Sequence, residues 1–313
     1  MNARQLDSAQ SVNIKLNHSS MSGFEAKKQR RSSIKGKRLF FDVVSYTVLI
    51  LGSFLMIYPF VWMLSASFTT KQYVLQTVFL PIEWDFTNYS KIITALGSPY
   101  GPGYWRSLLN TILYSTIPVI ICSLVSAMAA FAFAKIKFKG RDVMFLILLS
   151  ALMIPFPAIM MQQTYLYSRL NWLTGPWAMA IPRLFGNMMI IFFVRQYLYG
   201  LPDSLIESAK IDGASYFKIF AAIILPLAMP AIVAQGLLNF MGTWNDYLGP
   251  LLFTQMRDWY PLTVSLAKYN AGIHAESQVV MAGSVLALLP ILIVFGLFQK
   301  LIIESVMLSG VKE

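Results

Sequence analysis

The stretch LIESAKIDGASYFKIFAAIILPLAMP, Leu205–Pro230, changes character halfway along its length. Its first half has the pattern of a short water-facing helix, because Ser204 and Glu207 fit a capping box and Gly213 fits the left-handed residue that closes a helix. Its second half belongs to a run without charged residues that continues to Asn245. We therefore predict a short helix over about Ser204–Asp212 that lies directly against a membrane span.

The composition of the whole chain agrees with membrane spans. Only 12% of the 313 residues are charged and 57% are hydrophobic, whereas soluble domains carry about 25% charged residues. A span needs roughly 20 apolar residues, and six runs meet that length, interrupted once by Arg183. The runs do not alternate polar and apolar residues as barrel strands do, so we predict an all-α polytopic protein with six transmembrane helices. The predicted spans are Val43–Leu64, Leu108–Ala134, Val143–Ser168, Leu170–Val194, Ile219–Asn245 and Ser277–Gln299.

The basic residues predict the orientation of these spans. Of the 25 Lys and Arg residues, eighteen fall on the side that holds both termini, six fall on the other side, and Arg183 lies within a span. Basic loops face the cytoplasm, so both termini and the short helix are predicted to be cytoplasmic. The cluster Lys27–Arg38 abuts the first span, which indicates contact with anionic lipid and not with nucleic acid.

Three regions follow from this pattern. We predict a basic, disordered cytoplasmic tail over residues 1–38, a transmembrane domain over 39–303, and a cytoplasmic tail over 304–313.

The short helix itself carries an apolar patch. Leu205, Ile206 and Ala209 have little predicted protein around them. Such a patch indicates either a docking site for another protein or a helix that lies on lipid, and the residues alone leave both open.

The same stretch resembles a known motif. Glu207-Ser208-Ala209, Gly213 and then Ile223-Ile224-Leu225-Pro226 stand at the spacing of the EAA loop of binding-protein-dependent ABC importer permeases, with Ser208 in place of the middle alanine. The flanks FFVRQYLYGLPDSLIESAKIDGAS and GTWNDYLGPL are similar to the shorter permease subunit of maltose-type sugar importers. The resemblance extends from about Phe40 to Lys312.

The resemblance implies that the short helix is a cytoplasmic coupling helix that docks on a separate ATPase. It implies a second homologous permease subunit, two ATPase subunits and an extracytoplasmic solute-binding protein, in the cytoplasmic membrane of a bacterium or archaeon. It implies a carbohydrate substrate, and among carbohydrates an oligosaccharide. It assigns ATP and Mg to the partner ATPase, with no cofactor bound by this chain. The implied ATPase-coupling residues are Leu205, Glu207, Ala209, Gly213, Leu225 and Pro226.

The sequence has no motif for ATP hydrolysis and no cluster of metal-binding residues. There is no G-x-x-x-x-G-K-[ST] phosphate-binding loop, so we predict that the chain does not hydrolyse ATP. The single Cys122 and the two histidines, His18 and His274, are too few and too scattered for a metal site. The sequence therefore predicts a transport subunit and not an enzyme.

Polar residues at membrane depth are candidates for the substrate path, although helix–helix hydrogen bonds would explain each of them as well. For Arg183 the residues allow either an outward-reaching side chain or a polar partner. Aromatic residues near the end of the fifth span suit stacking on sugars and also suit interface anchors. The path candidates are Gln162, Asn187, Gln235, Asn239, Trp244, Asn245 and Asp246, and further polar residues at this depth are Asn110, Gln163 and Arg183.

There are two alternatives to a carbohydrate importer. One is an ABC importer with a different substrate, and the other is a different class of transporter. An importer for a phosphorylated polyol would need a basic pocket on the pathway. An ion-coupled secondary transporter would need acidic residues within its spans, and the predicted spans contain none.

Overall fold

The computed structural model describes residues 41–76 and 79–310, with side chains described as far as residue 300. The predicted tail over residues 1–38 and its basic cluster lie outside the described residues, as do residues 311–313. Within the described ranges the chain is helical and has no strand, which confirms the predicted all-α membrane fold. The helices are α1 (Phe41–Ser67), α2 (Thr87–Ala95), α3 (Tyr104–Lys135), α4 (Arg141–Ser150), α5 (Phe156–Arg169), α6 (Trp177–Ala180), α7 (Met188–Tyr199), α8 (Ser204–Ile211), α9 (Tyr216–Ile219), α10 (Leu225–Trp244), α11 (Leu248–Phe253), α12 (Leu262–Asn270) and α13 (Ser277–Gly310).

The chain forms two compact units, Met1–Trp62 and Met63–Glu313. In the first unit, the described residues belong to α1, whose full length is 27 residues. At 1.5 Å per residue this helix is about 40 Å long, enough to cross the hydrocarbon core of a bilayer. The site described below lies entirely in the second unit.

Helix α3 lies at the centre of the second unit and packs against α7, α10 and α12. Its inner face carries small residues, including Ser123, Ala127 and Ala130, all of which are buried. Small side chains let membrane helices approach closely. The approach is close at Gly236 of α10, where an added Cβ would lie 3.0 Å from the Ser123 hydroxyl. Helices α3 and α10 therefore form a close pair, and the polar cleft described below opens between them and the segment before α7.

The predicted third span is wrong as a single straight helix. The chain forms two apolar helices, Arg141–Met153 and Phe156–Arg169, that meet at 96°. Pro155 is the cause, since the residue before a proline is forced out of the α region and Ile154 is extended. The described residues contain five helices long enough to cross a membrane, and six if this bent pair is one span.

The fourth span also differs from its prediction. In the structure it begins at Trp177 and ends at Tyr199, whereas the predicted bounds are Leu170–Val194, and it contains a break. A 3-10 turn over Pro182–Phe185 and Gly186, with a φ of 103°, separate α6 from α7. This break places polar groups inside the bundle, beside the middle of α3.

The end of the bundle opposite α8 is closed by short helices. Ile92, Leu96, Leu262 and Val279 form one buried cluster there, joining α2, α12 and α13. Asn110 on α3 belongs to this closure, because its side-chain amide donates to the carbonyls of Asp258 and Tyr260 at 2.8 and 3.2 Å. For Asn110 the structure therefore favours a hydrogen bond between elements over a place on a substrate path.

Candidate functional site: a short capped helix and a polar cleft

Helix α8 is a short helix with a defined end. Gly213 follows it with a φ of 76°, its N–H donates to the carbonyl of Lys210 at 3.0 Å, and the N–H of Ala214 donates to the carbonyl of Ala209 at 2.9 Å. This pair of bonds is a Schellman motif, which requires a left-handed residue. The predicted helix and its predicted glycine stop are both confirmed.

The predicted capping box at the start of α8 is wrong. Asp203 occupies the N-cap position, Ser204 is already helical, and no side chain caps the helix. The carboxylate of Asp203 instead accepts a hydrogen bond from the ammonium of Lys135 at 2.6 Å. Asp203 is therefore used for a tertiary contact and Glu207 is released from any capping role.

The Lys135–Asp203 ion pair fixes α8 to the end of α3. Only 4% of the Lys135 side chain is exposed, and its ammonium also donates to the carbonyl of Leu201 at 2.7 Å. This ammonium lowers the pKa of Asp203, first through the hydrogen bond and then through its charge. The anchor places α8 at a fixed position below the bundle.

The apolar patch predicted on α8 is divided between the buried face and the exposed face of the helix. Ile206 is 5% exposed and packs in the main core, and Ala209 is half-buried against that core. Leu205 and Glu207 are exposed, and Ile211 is 87% exposed. The outward surface of this helix therefore combines apolar side chains with a carboxylate that forms no ion pair within the described residues.

A turn of only four residues, 212–215, joins α8 to the membrane helix that follows. Ser215 accepts a hydrogen bond from the N–H of Lys218 at 3.3 Å and caps α9. A π-helical turn, Phe220–Ile224, then leads into α10. Pro226 explains this turn, because it has no N–H to offer the carbonyl of Ala222 and its ring displaces that carbonyl. Leu225 and Pro226 thus lie at the joint between the segment that follows α8 and the long helix α10.

The far half of α10 borders a polar cleft of about 360 Å³. Its walls come from the middle of α3, the break between α6 and α7, and the last turns of α10. The path candidates Asn187 and Asn239 both lie on this cleft. Its lining residues are Pro118, Val119, Cys122, Pro182, Arg183, Gly186, Asn187, Asn239, Gly242 and Thr243.

An ion pair stands at the edge of this cleft. Arg183 donates from Nη2 to the carboxylate of Asp246 at 2.6 Å, and both side chains are about three-quarters buried. Of the two possibilities for Arg183, the structure shows the polar partner. The other oxygen of Asp246 accepts from the N–H of Gly249 at 3.1 Å, so the carboxylate is held by two elements.

The remaining path candidates lie elsewhere. Gln162 is exposed on α5, and Gln235 is half-buried on α10 away from the cleft. Trp244 is buried and donates its indole N–H to the carbonyl of Ala287 on α13 at 3.1 Å. The side chain of Asn245 is exposed and bonds to the carbonyl of Met241. The structure therefore brings Asn187, Asn239 and Asp246 together around Arg183 and leaves these four outside the cleft.

Two buried basic residues were missed at the sequence level. Lys135 is described above, and Arg195 donates to the carbonyl of Phe133 and to Asp142, both at 3.3 Å, with its guanidinium over the Phe145 ring. Each basic residue ends an apolar run, which is also the ordinary place for a charge facing the cytoplasm. Nothing in the sequence distinguishes a buried charge at this position from an exposed one.

No group of three or more His, Cys, Asp or Glu side chains that could hold a metal ion occurs among the described residues. The side chains that meet at the cleft are amides, hydroxyls and one neutralised ion pair. Such groups suit the recognition of a polar, uncharged molecule through hydrogen bonds.

Comparison with known proteins gives a consistent result. The family described as "Binding-protein-dependent transport system inner membrane component" matches residues 123–307. The arabinooligosaccharides transport system permease protein AraQ of Halalkalibacterium halodurans is 31% identical, over 83% of this chain and 92% of that protein. The lactose transport system permease protein LacG of Rhizobium radiobacter is 30% identical, over 87% and 96%. A chain of a bacterial ABC transporter involved in the import of the acidic polysaccharide alginate has a TM-score of 0.72 and 25% identity, covering 83% of this chain and 96% of that chain.

Proposed function

The chain belongs to the family of binding-protein-dependent transport system inner membrane components, and from that premise we propose that it carries a carbohydrate across the cytoplasmic membrane as the permease subunit of an ABC importer. Members of this family are membrane transport subunits without an ATPase site of their own. The relatives named above transport arabinooligosaccharides and lactose according to their names. An uncharged oligosaccharide is therefore the proposed class of substrate.

One observation carries the proposal, namely the short connection between α8 and the cleft. The proposed docking helix α8 ends at Ile211, a four-residue turn over 212–215 follows, and α9, the π turn and α10 then run on without a further break. Asn239 lies near the far end of α10, and Asp246 follows it. A movement of α8 is thereby passed through the joint at Pro226 to one wall of the cleft.

The coupling residues have different roles in this proposal. Leu205 and Glu207 face outward and would contact the ATPase, whereas Ala209 packs against the core and sets how closely α8 approaches it. Gly213 ends the helix, and Leu225 with Pro226 forms the joint below α10. The exposed face of α8 then binds a partner and does not rest on lipid.

The proposed assembly contains a second homologous permease, two ATPase subunits that bind ATP and Mg, and an extracytoplasmic solute-binding protein. Both termini and α8 face the cytoplasm of a bacterium or archaeon. The basic bias of the sequence supports this orientation. The cleft argues against a phosphorylated polyol as the substrate, because its single cation, Arg183, is already paired with Asp246.

The proposal is tested with the whole transporter in liposomes. The chain is co-expressed with its partner permease, ATPase and binding protein, sought among the neighbouring genes, and uptake of radiolabelled arabinotriose, lactose and maltotriose is measured. We expect uptake of at least one sugar that requires ATP inside and binding protein outside. The chain purified alone should hydrolyse no ATP.

Two results would contradict this function. The first is uptake driven by an ion gradient without ATP. The second is ATP hydrolysis by the purified chain that persists after every co-purifying ATPase has been removed. A Glu207→Lys transporter serves as the matched control, since the change lies outside the cleft and should abolish uptake of every sugar equally.

A further inference from the structure

The cleft between α3, α10 and the break before α7 has the size and the lining of a ligand site. Its volume of about 360 Å³ falls within the range of roughly 300–1,000 Å³ that small-molecule pockets occupy. Four of its ten lining residues bring polar side chains to the depth of the helix bundle, where unsatisfied polar groups are costly, and these are Arg183, Asn187, Asn239 and Thr243. A polar occupant would satisfy them.

Several hydrogen-bonding atoms of this cleft are free within the described residues. Nη1 of Arg183 is buried and has no hydrogen-bond partner. Asn187 uses Oδ1 to accept from the N–H groups of Met189 and Ile190, which leaves its Nδ2 free. Asn239 makes only a long contact of 3.9 Å from Nδ2 to the sulfur of Cys122, which leaves its Oδ1 free. The cleft therefore offers both donors and acceptors, and sugar hydroxyls use both.

The charge of the cleft is set by the Arg183–Asp246 pair. The carboxylate lies 2.6 Å from Nη2, so the cation adds little net positive potential. Asp246 cannot turn away freely, because it also accepts from the N–H of Gly249. A carboxylated or phosphorylated sugar would place a second anion beside Asp246 in a partly buried site, where repulsion between like charges is strong.

We infer that this cleft is a sugar subsite of the chain itself, in which Arg183 donates to a hydroxyl through Nη1 and Asp246 excludes acidic sugars by keeping Arg183 neutralised. The inference rests on the proposed function and adds the site in this chain that binds the uncharged sugar and the residues that reject an acidic one. Asn187 and Asn239 complete the hydrogen bonding of the ring hydroxyls. Asp246 acts as a specificity-determining residue through Arg183.

A reporter cysteine at Gly242 tests the inference. Gly242 lines the cleft, and a Cβ added there meets no atom within 4 Å. In the assembled transporter, Gly242→Cys is combined with Cys122→Ala, and the rate of modification by uncharged N-ethylmaleimide is measured. The probes are arabinotriose, lactose and maltotriose as uncharged sugars, and trigalacturonate as the acidic sugar.

With Asp246 intact, we expect at least one uncharged sugar to slow the modification several-fold and trigalacturonate to have no effect. In Asp246→Asn, which removes the charge and keeps one of the two acceptor oxygens that Arg183 and Gly249 use, trigalacturonate should slow the modification at least as strongly as the uncharged sugar does. Asp258→Asn is the matched control, because Asp258 is exposed, lies outside the cleft, and loses the same charge. That control should behave like the parent.

Three results would overturn the inference: protection by trigalacturonate with Asp246 intact, equal behaviour of the Asp246→Asn and Asp258→Asn variants, and no protection by any sugar. Should Asp246→Asn fail to assemble, Arg183→Gln replaces it. That variant should show weaker protection by the uncharged sugar, and unchanged protection would refute the role of Arg183. ATP-dependent sugar uptake that persists while the cleft is unprotected rejects this subsite and leaves the proposed function standing.

Discussion

The substitution Gly213→Val addresses the joint between the docking helix and the membrane helix. Gly213 has a φ of 76°, and a Cβ built on it meets no atom within 4 Å. The cost of a side chain at this position is therefore purely conformational. A non-glycine residue in the left-handed region costs roughly 1–2 kcal/mol, and a β-branched residue is less tolerant still.

That cost acts on the Schellman motif and not on the whole fold. Two hydrogen bonds, from Gly213 to Lys210 and from Ala214 to Ala209, depend on the left-handed residue. A penalty of 1–2 kcal/mol lowers the population of the closed motif roughly 5- to 30-fold relative to its alternatives. Ile206 still anchors α8 in the core, so the protein should insert and assemble while α8 loses its defined end.

The assay is ATP hydrolysis stimulated by the sugar-loaded binding protein, measured in liposomes together with co-purification of the ATPase. We expect Gly213→Val to reduce stimulated hydrolysis strongly. Gly213→Asn should retain most of it, because asparagine tolerates the left-handed region. Gly296→Val is the matched control, since Gly296 lies within α13, has no positive φ, and also leaves room for a Cβ. Wild-type hydrolysis and ATPase retention in Gly213→Val would refute the reasoning.

Three further predictions concern the same end of the bundle. Glu207→Lys should release the ATPase without lowering the unfolding temperature, because Glu207 makes no ion pair or side-chain cap within the described residues; a parallel loss of stability would argue for a structural role. The pKa of Asp203 is lowered by Lys135, so the ion pair stabilises the fold above the ordinary aspartate pKa of about 3.9 and this contribution is lost as the pH falls through the lowered value. Asp203→Asn should therefore unfold at a lower temperature than the parent at pH 7, with the difference shrinking in acid; a constant difference would contradict the assignment. In a chain whose native cysteine is replaced by alanine, Ser98→Cys should react with an impermeant thiol reagent added to intact cells and Ser208→Cys should not; the opposite labelling would reverse the proposed orientation.

Much of the architecture is visible in local sequence patterns. The lengths of the apolar runs predict the spans, and the glycine after a short polar helix predicts the end of α8, because positive φ is a property of one residue. The bend at Pro155 had a local signal as well. The angle of 96° had none, since it depends on how the two helices pack.

The inner face of α8 shows where local reasoning fails. Ile206 and Ala209 look like part of an exposed patch when α8 is considered alone. The structure turns both toward the core and leaves Leu205 and Ile211 outside. Ser204 and Glu207 fit a capping box by spacing, yet Asp203 occupies the N-cap position, and its carboxylate pairs with Lys135 of α3 instead of capping the helix.

The sequence by itself determined that this chain is a helical membrane protein with a short helix closed by a glycine and no phosphate-binding loop, because those features depend on composition and on residues a few positions apart. Only the tertiary structure selected Asn187, Asn239 and Asp246 from the polar candidates and joined them to Arg183. The physical reason is distance along the chain. Arg183 and Asp246 are 63 positions apart, and an ion pair between two such residues leaves no trace in periodicity or spacing, since it forms only when separate helices pack together.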